Sequence, residues 1–158
     1  MHALKRRFRF ILMFALLCLS APCSASDFTA HVVGVIDGDT IKVVSDGEET
    51  RIRLYGIDCP EKGQPYWRAA KDFVIQSVSG KNIQITVRGK DRYNRSIGVV
   101  FYDDKCLNEE LLKAGLAWHY KKYSNDQLYA DLEMKAKQEK RGLWSEMNAT
   151  APWDYRRN

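Results

Sequence analysis

Asp37, Asp39, Asp58 and Glu61 are carboxylates that sit at turns and at the ends of β-prone runs, close in sequence to Arg51 and Arg53. Singly they are unremarkable: Asp37 and Asp39 flank Gly38 as turn residues do, and Asp58 precedes Pro60 in a loop. Their joint placement says more. Asp39 opens a second strand, while Asp58 and Glu61 follow a third that should pair with it, and neighbouring strands bring such ends together. Carboxylate oxygens converging from two strands are hard ligands, suited to Ca²⁺ or Mg²⁺ and unsuited to soft metals. A cation held by only two carboxylates completes its shell with water, backbone carbonyl and substrate oxygen, so the site binds weakly and stays open for chemistry.

Arg53 lies in the middle of the third apolar run and Arg95 beside a later turn. An arginine in an apolar strand is costly without an anionic partner. Two partners suit: one of the nearby carboxylates, or a phosphate gripped by both guanidinium forks, whose planar geometry matches phosphate oxygens. Lys90, Arg92, Lys121 and Lys122 are either a solvated basic face or a rim that tracks a phosphate backbone. His31 and His119 have no second histidine at ligand or relay spacing, which disfavours zinc and histidine-based hydrolysis.

The elements that must position these groups follow from periodicity. His31 to Ile36, Thr40 to Val44 and Thr50 to Tyr55 are rich in Val, Ile and Thr, with Asp37-Gly38-Asp39 and Asp46-Gly47-Glu48 between them, which predicts a three-stranded meander. Trp67, Ala70, Phe73, Val74 and Val78 recur at helical spacing in Pro65 to Val78, closed by Gly80. Lys81 to Arg88 and Ser96 to Tyr102 are two further strands across the turn Asp91-Arg92-Tyr93-Asn94. Asn108 is placed to cap a short helix through Ala114, and Ser124 to Arg141 predicts the longest helix, with Leu128, Leu132, Lys135 and Ala136 on one stripe. Residues 148–158 read as an irregular, exposed tail. The expected class is α+β: an all-β core, a five-stranded OB-type barrel, with about three helices.

The chain has 158 residues, enough for one domain. It opens with Lys5-Arg6-Arg7-Phe8-Arg9, an apolar run from Phe10 to Leu19 and small residues from Ser20 to Ala25 broken by Pro22. That is the pattern of a signal peptide at residues 1–25, and the apolar run is about ten residues where a bilayer span needs roughly 20. Neither Cys18 nor Cys23 follows the small residues that lipidation requires. Residues 26–147 are then the folded domain, exported to the periplasm or beyond and no longer tied to a membrane. Cleavage removes four basic residues and no acidic one, so the formal charge of +5 falls to +1, and attraction to nucleic acid must come from local clustering. Cys59 and Cys106 remain, in a compartment where two cysteines can pair.

Ile36-Asp37-Gly38-Asp39-Thr40, Arg53-Leu54, Ile57-Asp58-Cys59-Pro60-Glu61 and Asp91-Arg92-Tyr93-Asn94-Arg95 occur in an order that resembles the staphylococcal nuclease (thermonuclease) family. The likeness runs on through Asn108-Glu109 and Gly115-Leu116-Ala117 to Gly142-Leu143-Trp144. It implies a calcium-dependent endonuclease that hydrolyses DNA and RNA and leaves 3′-phosphate ends. Asp39, Asp58 and the backbone carbonyl of Cys59 would bind Ca²⁺, Glu61 would act on the attacking water, and Arg53 and Arg95 would hold the scissile phosphate. Tyr93, Tyr120 and Tyr123 resemble positions near the family's nucleotide pocket, where an aromatic face stacks on a base, and Lys90 and Lys121 would flank it. The sequence departs from the founding nuclease at Cys59, which replaces threonine, and in a shorter stretch from Lys62 to Arg68. The resemblance implies a monomer with nucleic acid as its partner. The alternative is an OB-type module that holds single-stranded nucleic acid without cutting it; that alternative predicts missing carboxylates or arginines, and none is missing. A protein-interaction domain with no nucleic-acid role would leave the strand arginine and the converging acids unexplained.

Overall fold

The computed structural model describes residues 27–157. The predicted signal peptide lies outside them. The chain begins with an antiparallel meander of β1 (Asp27–Asp37), β2 (Thr40–Ser45) and β3 (Glu48–Leu54). A short strand β4 (Ile57–Asp58) and a loop lead into helix α1 (Trp67–Val78). Strand β5 (Asn82–Lys90) returns antiparallel to β1, and β6 (Ser96–Tyr102) pairs antiparallel with β5.

Closure comes from β3 and β6, which run parallel with Ile52 opposite Ser96 and Leu54 opposite Gly98. The five long strands therefore form a closed OB-type barrel with no free edge between first and last, as the element order predicts. β1 makes this possible. Its first half pairs with β5 and its second with β2, and register shifts at Val32/Gly34 and Val35/Asp37 bend it between the two.

Val32, Ile41, Val43, Ile52, Leu54, Ile83, Ile85 and Val100 fill the barrel. Helix α1 plugs one end through Ala70, Val74 and Val78, the face its spacing predicts. It sits directly on the β1–β2 turn: a Cβ on Gly38 would lie 2.8 Å from the Cβ atoms of both Ala70 and Cys59. Glycine in Asp-Gly-Asp is thus required by the close approach of helix and loop to the turn.

A short strand β7 (Lys105–Cys106) continues into α2 (Leu107–Lys113), followed by β8 (Trp118–His119), which pairs with β4, then α3 (Gln127–Gln138), a 3₁₀ turn (Gly142–Ser145) and α4 (Pro152–Tyr155). Several expectations change here. Asn108 does not cap α2. Its side chain is fully buried and staples the barrel instead, accepting from the Val100 N–H at 3.1 Å and donating to the Tyr55 carbonyl at 2.9 Å. Helix α3 starts later than predicted, capped by Asp126, whose side chain accepts from the Tyr129 N–H at 3.3 Å. It buries Tyr129, Glu133 and Ala136 and leaves Leu128 exposed, because Glu133 has inward partners that hydrophobicity does not reveal. The segment after residue 147, expected as an irregular exposed tail, carries helix α4: Ala151 and Pro152 are buried and Trp153 lies against Trp118 and Tyr120, while Asp154 to Arg157 remain exposed. Cys59 and Cys106 are separate buried thiols, with no disulfide between them.

Candidate active site

One guanidinium organises the site. Arg53 leaves β3 opposite Thr40 and reaches two acids at once: Nη1 lies 3.1 Å from Asp39 Oδ2, and Nη2 donates to Asp58 Oδ1 at 2.7 Å. Nη1 also donates to the carbonyls of Leu54 and Ile57. Of the two partners open to it on sequence grounds, the carboxylates are the ones it meets here. Burial works against its charge, but Asp39 and Asp58 outweigh that and raise its pKa.

Asp39 is held in turn by the strand ends around it. Its N–H donates to Asp37 Oδ1 at 3.1 Å, Oδ1 accepts from the Thr40 hydroxyl at 3.2 Å, and Oδ2 accepts from the Cys59 N–H at 2.8 Å. The last bond ties the β1–β2 turn to the loop after β4, so the two acids approach from two strands, as their sequence positions suggest. Asp58 is almost wholly buried, and burial, helped by the like charge of Asp39, pushes its pKa up against the pull of its arginine partners. Asp37, crowded by protein atoms and facing Asp39, is pushed up to about 7.

Arg95 joins from the β5–β6 turn. Asp91 accepts the N–H groups of Tyr93 and Arg95 through Oδ1 and the Arg95 Nε through Oδ2 at 2.7 Å, which locks the arginine onto its own turn. Arg95 Nη1 then reaches the Thr40 hydroxyl at 3.4 Å, the same hydroxyl that donates to Asp39. Thr40 thus links Arg95 to the acid pair, a role its place beside Asp39 permits but does not announce. Tyr93 stands exposed outside, its ring 4.8 Å from the Arg92 guanidinium carbon and 5.7 Å from that of Arg95. Lys90 pairs with Ser96 at the base of the same turn and is exposed.

Glu61 follows on a turn beyond Pro60. Its N–H donates to Gln64 Oε1 at 2.7 Å, and its carboxylate meets Arg156 from the carboxy-terminal segment. Arg156 Nη2 also donates to Asp58 Oδ2 at 2.8 Å. Neither Gln64 nor Arg156 stands out in the sequence. Arg156 lies in a segment with no strand or helix pattern, and only the fold carries it across the chain to residues 58 and 61.

The remaining aromatic candidates divide differently. Tyr120 is stacked on Trp153 with ring centroids 5.0 Å apart and planes at 6°, so one of its faces is already taken; Tyr123 meets its edge at 4.9 Å. Tyr123 is exposed with Lys122 over its ring. Lys121 is exposed and lies 3.7 Å from the buried Glu133 carboxylate, which also pairs with Lys137 at 3.0 Å and accepts from the His119 N–H. His119 is buried among these groups, and burial lowers its pKa.

For a hard divalent cation the donor chemistry fits. Asp39 and Asp58 share one guanidinium, so their oxygens face a common space, and both are oxygen ligands. Among the described residues no group of three or more His, Cys, Asp or Glu side chains forms a closed metal cage. Each of the four oxygens of Asp39 and Asp58 already accepts from a neighbour in the chain, so a cation there would have to displace one of these donors.

The fold and site define an OB-type barrel with acids and arginines gathered on one rim. The sequence profile of the family described as staphylococcal nuclease homologue matches residues 51–146. An uncharacterized endonuclease of Escherichia coli is 40% identical over 142 residues, covering 89% of this chain and 93% of that protein. A micrococcal nuclease of Shigella flexneri is 35% identical over 153 residues, covering 89% and 87%. A staphylococcal-like nuclease of Arabidopsis thaliana, CAN1, is 42% identical over 108 residues, 68% of this chain but 33% of the plant protein. The chain belongs to the staphylococcal nuclease family.

Proposed function

We propose that this protein is an exported, calcium-dependent endonuclease that hydrolyses phosphodiester bonds in DNA and RNA and leaves 3′-phosphate ends. The observation that carries the reading is the single guanidinium of Arg53 spanning Asp39 and Asp58, with Arg95 joined to them through Thr40. Membership of a nuclease family and the names of its relatives support hydrolysis over mere binding.

Asp39, Asp58 and the backbone carbonyl of Cys59 would hold the cation, which when bound supplies Lewis-acid polarisation of the phosphate. Glu61 holds the attacking water and takes its proton. Arg95, locked by Asp91, bonds non-bridging phosphate oxygens and stabilises the charge that gathers on them in the transition state. Arg53 performs the same service with the donors it does not spend on the acids. Tyr93 offers an exposed face for a base beside Arg95, and Lys90 and Lys121 attract the strand.

The test is incubation of the mature protein with single-stranded DNA and with RNA, with Ca²⁺ or with chelator, followed by end-group analysis. Cleavage of both, lost on chelation and restored by Ca²⁺, with 3′-phosphate ends, is expected. Retention of nucleic acid without cleavage would instead establish the binding-module alternative, and full activity in chelator would defeat the role given to Asp39 and Asp58.

A further inference from the structure

The carboxy-terminal segment converges on the site from several directions. Thr150 accepts from the Gln64 side-chain amide at 3.0 Å, while the other end of that buried amide accepts from the Glu61 N–H. Trp153 lies flat on Tyr120 and edge-on to Trp118 at 5.6 Å. The Tyr155 hydroxyl lies against Gly63, 3.0 Å from where a Cβ would be. These contacts anchor α4, and the residue that follows it is Arg156, whose guanidinium bridges Asp58 and Glu61.

We propose that Arg156 is a positioning residue for the hydrolysis: its guanidinium holds the Glu61 carboxylate over the phosphate site and shares Asp58 with the cation, so the carboxy-terminal segment is part of the active site. The inference rests on the hydrolase reading above. Arg156 is the only side chain among the described residues that bonds the Glu61 carboxylate. A glutamate on a half-exposed turn otherwise samples many rotamers, and a misplacement of about 1 Å in a reacting group costs roughly 10²-fold in rate. An arginine stays protonated, so it moves no proton itself and acts through the carboxylates it holds. The half-exposed pair with Glu61 adds little to stability, whereas the pair with buried Asp58 also supports the fold, so kinetics and stability are read separately. Asp58 shows the second consequence. Its Oδ1 is taken by Arg53 and its Oδ2 by Arg156, so a cation at Asp58 competes with a fixed positive charge.

The experiment uses the full mature chain and its Arg156→Gln and Arg156→Lys variants, with a single-stranded oligodeoxynucleotide as substrate and terbium luminescence as the measure of cation affinity. For Arg156→Gln, kcat falls about 10- to 100-fold with KM within about threefold. Added guanidinium ion restores part of that loss. In a Glu61→Gln background the same change costs less than about twofold, because the two residues act as a unit. Terbium binds several-fold more tightly to Arg156→Gln than to the wild type. An unchanged or raised kcat, full additivity with Glu61→Gln, or unaltered terbium affinity would overturn the proposal. If Arg156→Gln fails to fold, Arg156→Lys, which keeps the charge and loses the planar fork, is expected to lower kcat with terbium affinity little changed, and an unchanged kcat there overturns the proposal. If the wild type cleaves nothing, the hydrolase reading falls separately, while the terbium measurement still decides whether Arg156 competes for Asp58.

Discussion

At the scale of single residues the site is a chain of held groups, each fixing the next. Asp91 fixes Arg95, Arg95 and Asp39 share Thr40, and Arg53 spans Asp39 and Asp58. Direct and indirect members should separate in kinetics. Arg95→Ala removes a phosphate-stabilising group and is expected to lower kcat about 10²- to 10³-fold. Asp91→Asn keeps the turn but frees the guanidinium, so a smaller loss is expected, with Arg95→Ala in the Asp91→Asn background no worse than Arg95→Ala alone. Asp91 also sets a pH dependence. Some burial opposes ionisation, but the Arg95 and Tyr93 N–H groups and the Arg95 side chain prevail and hold its pKa below the usual carboxylate value. A depressed folded-state pKa gives stability that is present above the unfolded value of about 4 and is lost as pH falls through the folded one. Protection of the Tyr93 and Arg95 amides relative to their intrinsic exchange rates should therefore fall below about pH 4, and Asp91→Asn should show low protection with no such step. The acids and arginines stood out in the sequence because charge at strand ends and within apolar runs is costly. Thr40, Gln64 and Arg156 did not, since a hydroxyl beside an acid, an amide in a loop and an arginine near a terminus are ordinary until folding supplies their partners.

At the scale of elements, the five long strands follow from alternation, although β1 starts at Asp27 rather than His31. The two-residue strands β4, β7 and β8 gave no signal, and the helices after the barrel shift. Asn108 illustrates why: asparagine before a helix suggests a cap, and only the tertiary fold reveals that Val100 and Tyr55 need its amide more. Likewise Glu133 reads as a solvent residue until the His119 N–H, Lys121 and Lys137 are placed around it. Two substitutions probe these element contacts by thermal denaturation. Asn108→Ala leaves a buried N–H and a buried carbonyl without a partner and is expected to cost about 2–4 kcal/mol. Gly38→Ala forces a methyl group into contact with Ala70 and Cys59 and is expected to cost about 1–3 kcal/mol. Gly38→Ala should also reduce activity beyond its effect on stability, because the displaced turn carries Asp39.

At the scale of the whole molecule the expected OB-type barrel with flanking helices is the fold observed. The two cysteines take no part in cross-linking it. Cys59 is pushed well above the ordinary thiol range by burial, and Cys106 is raised for the same cause. Native protein should therefore resist thiol reagents at neutral pH, react at both positions once denatured, and keep the same melting temperature with and without reductant. The parallel seam between β3 and β6 sets a further condition. Ile52 finds Ser96 only after helix α1, β5 and its turn have been traversed, so the pairing that abolishes the sheet's edge is long-range, though less so than that of β1 with β5. A polypeptide emerging amino-terminus first carries an unfinished ribbon whose outer strand has no mate.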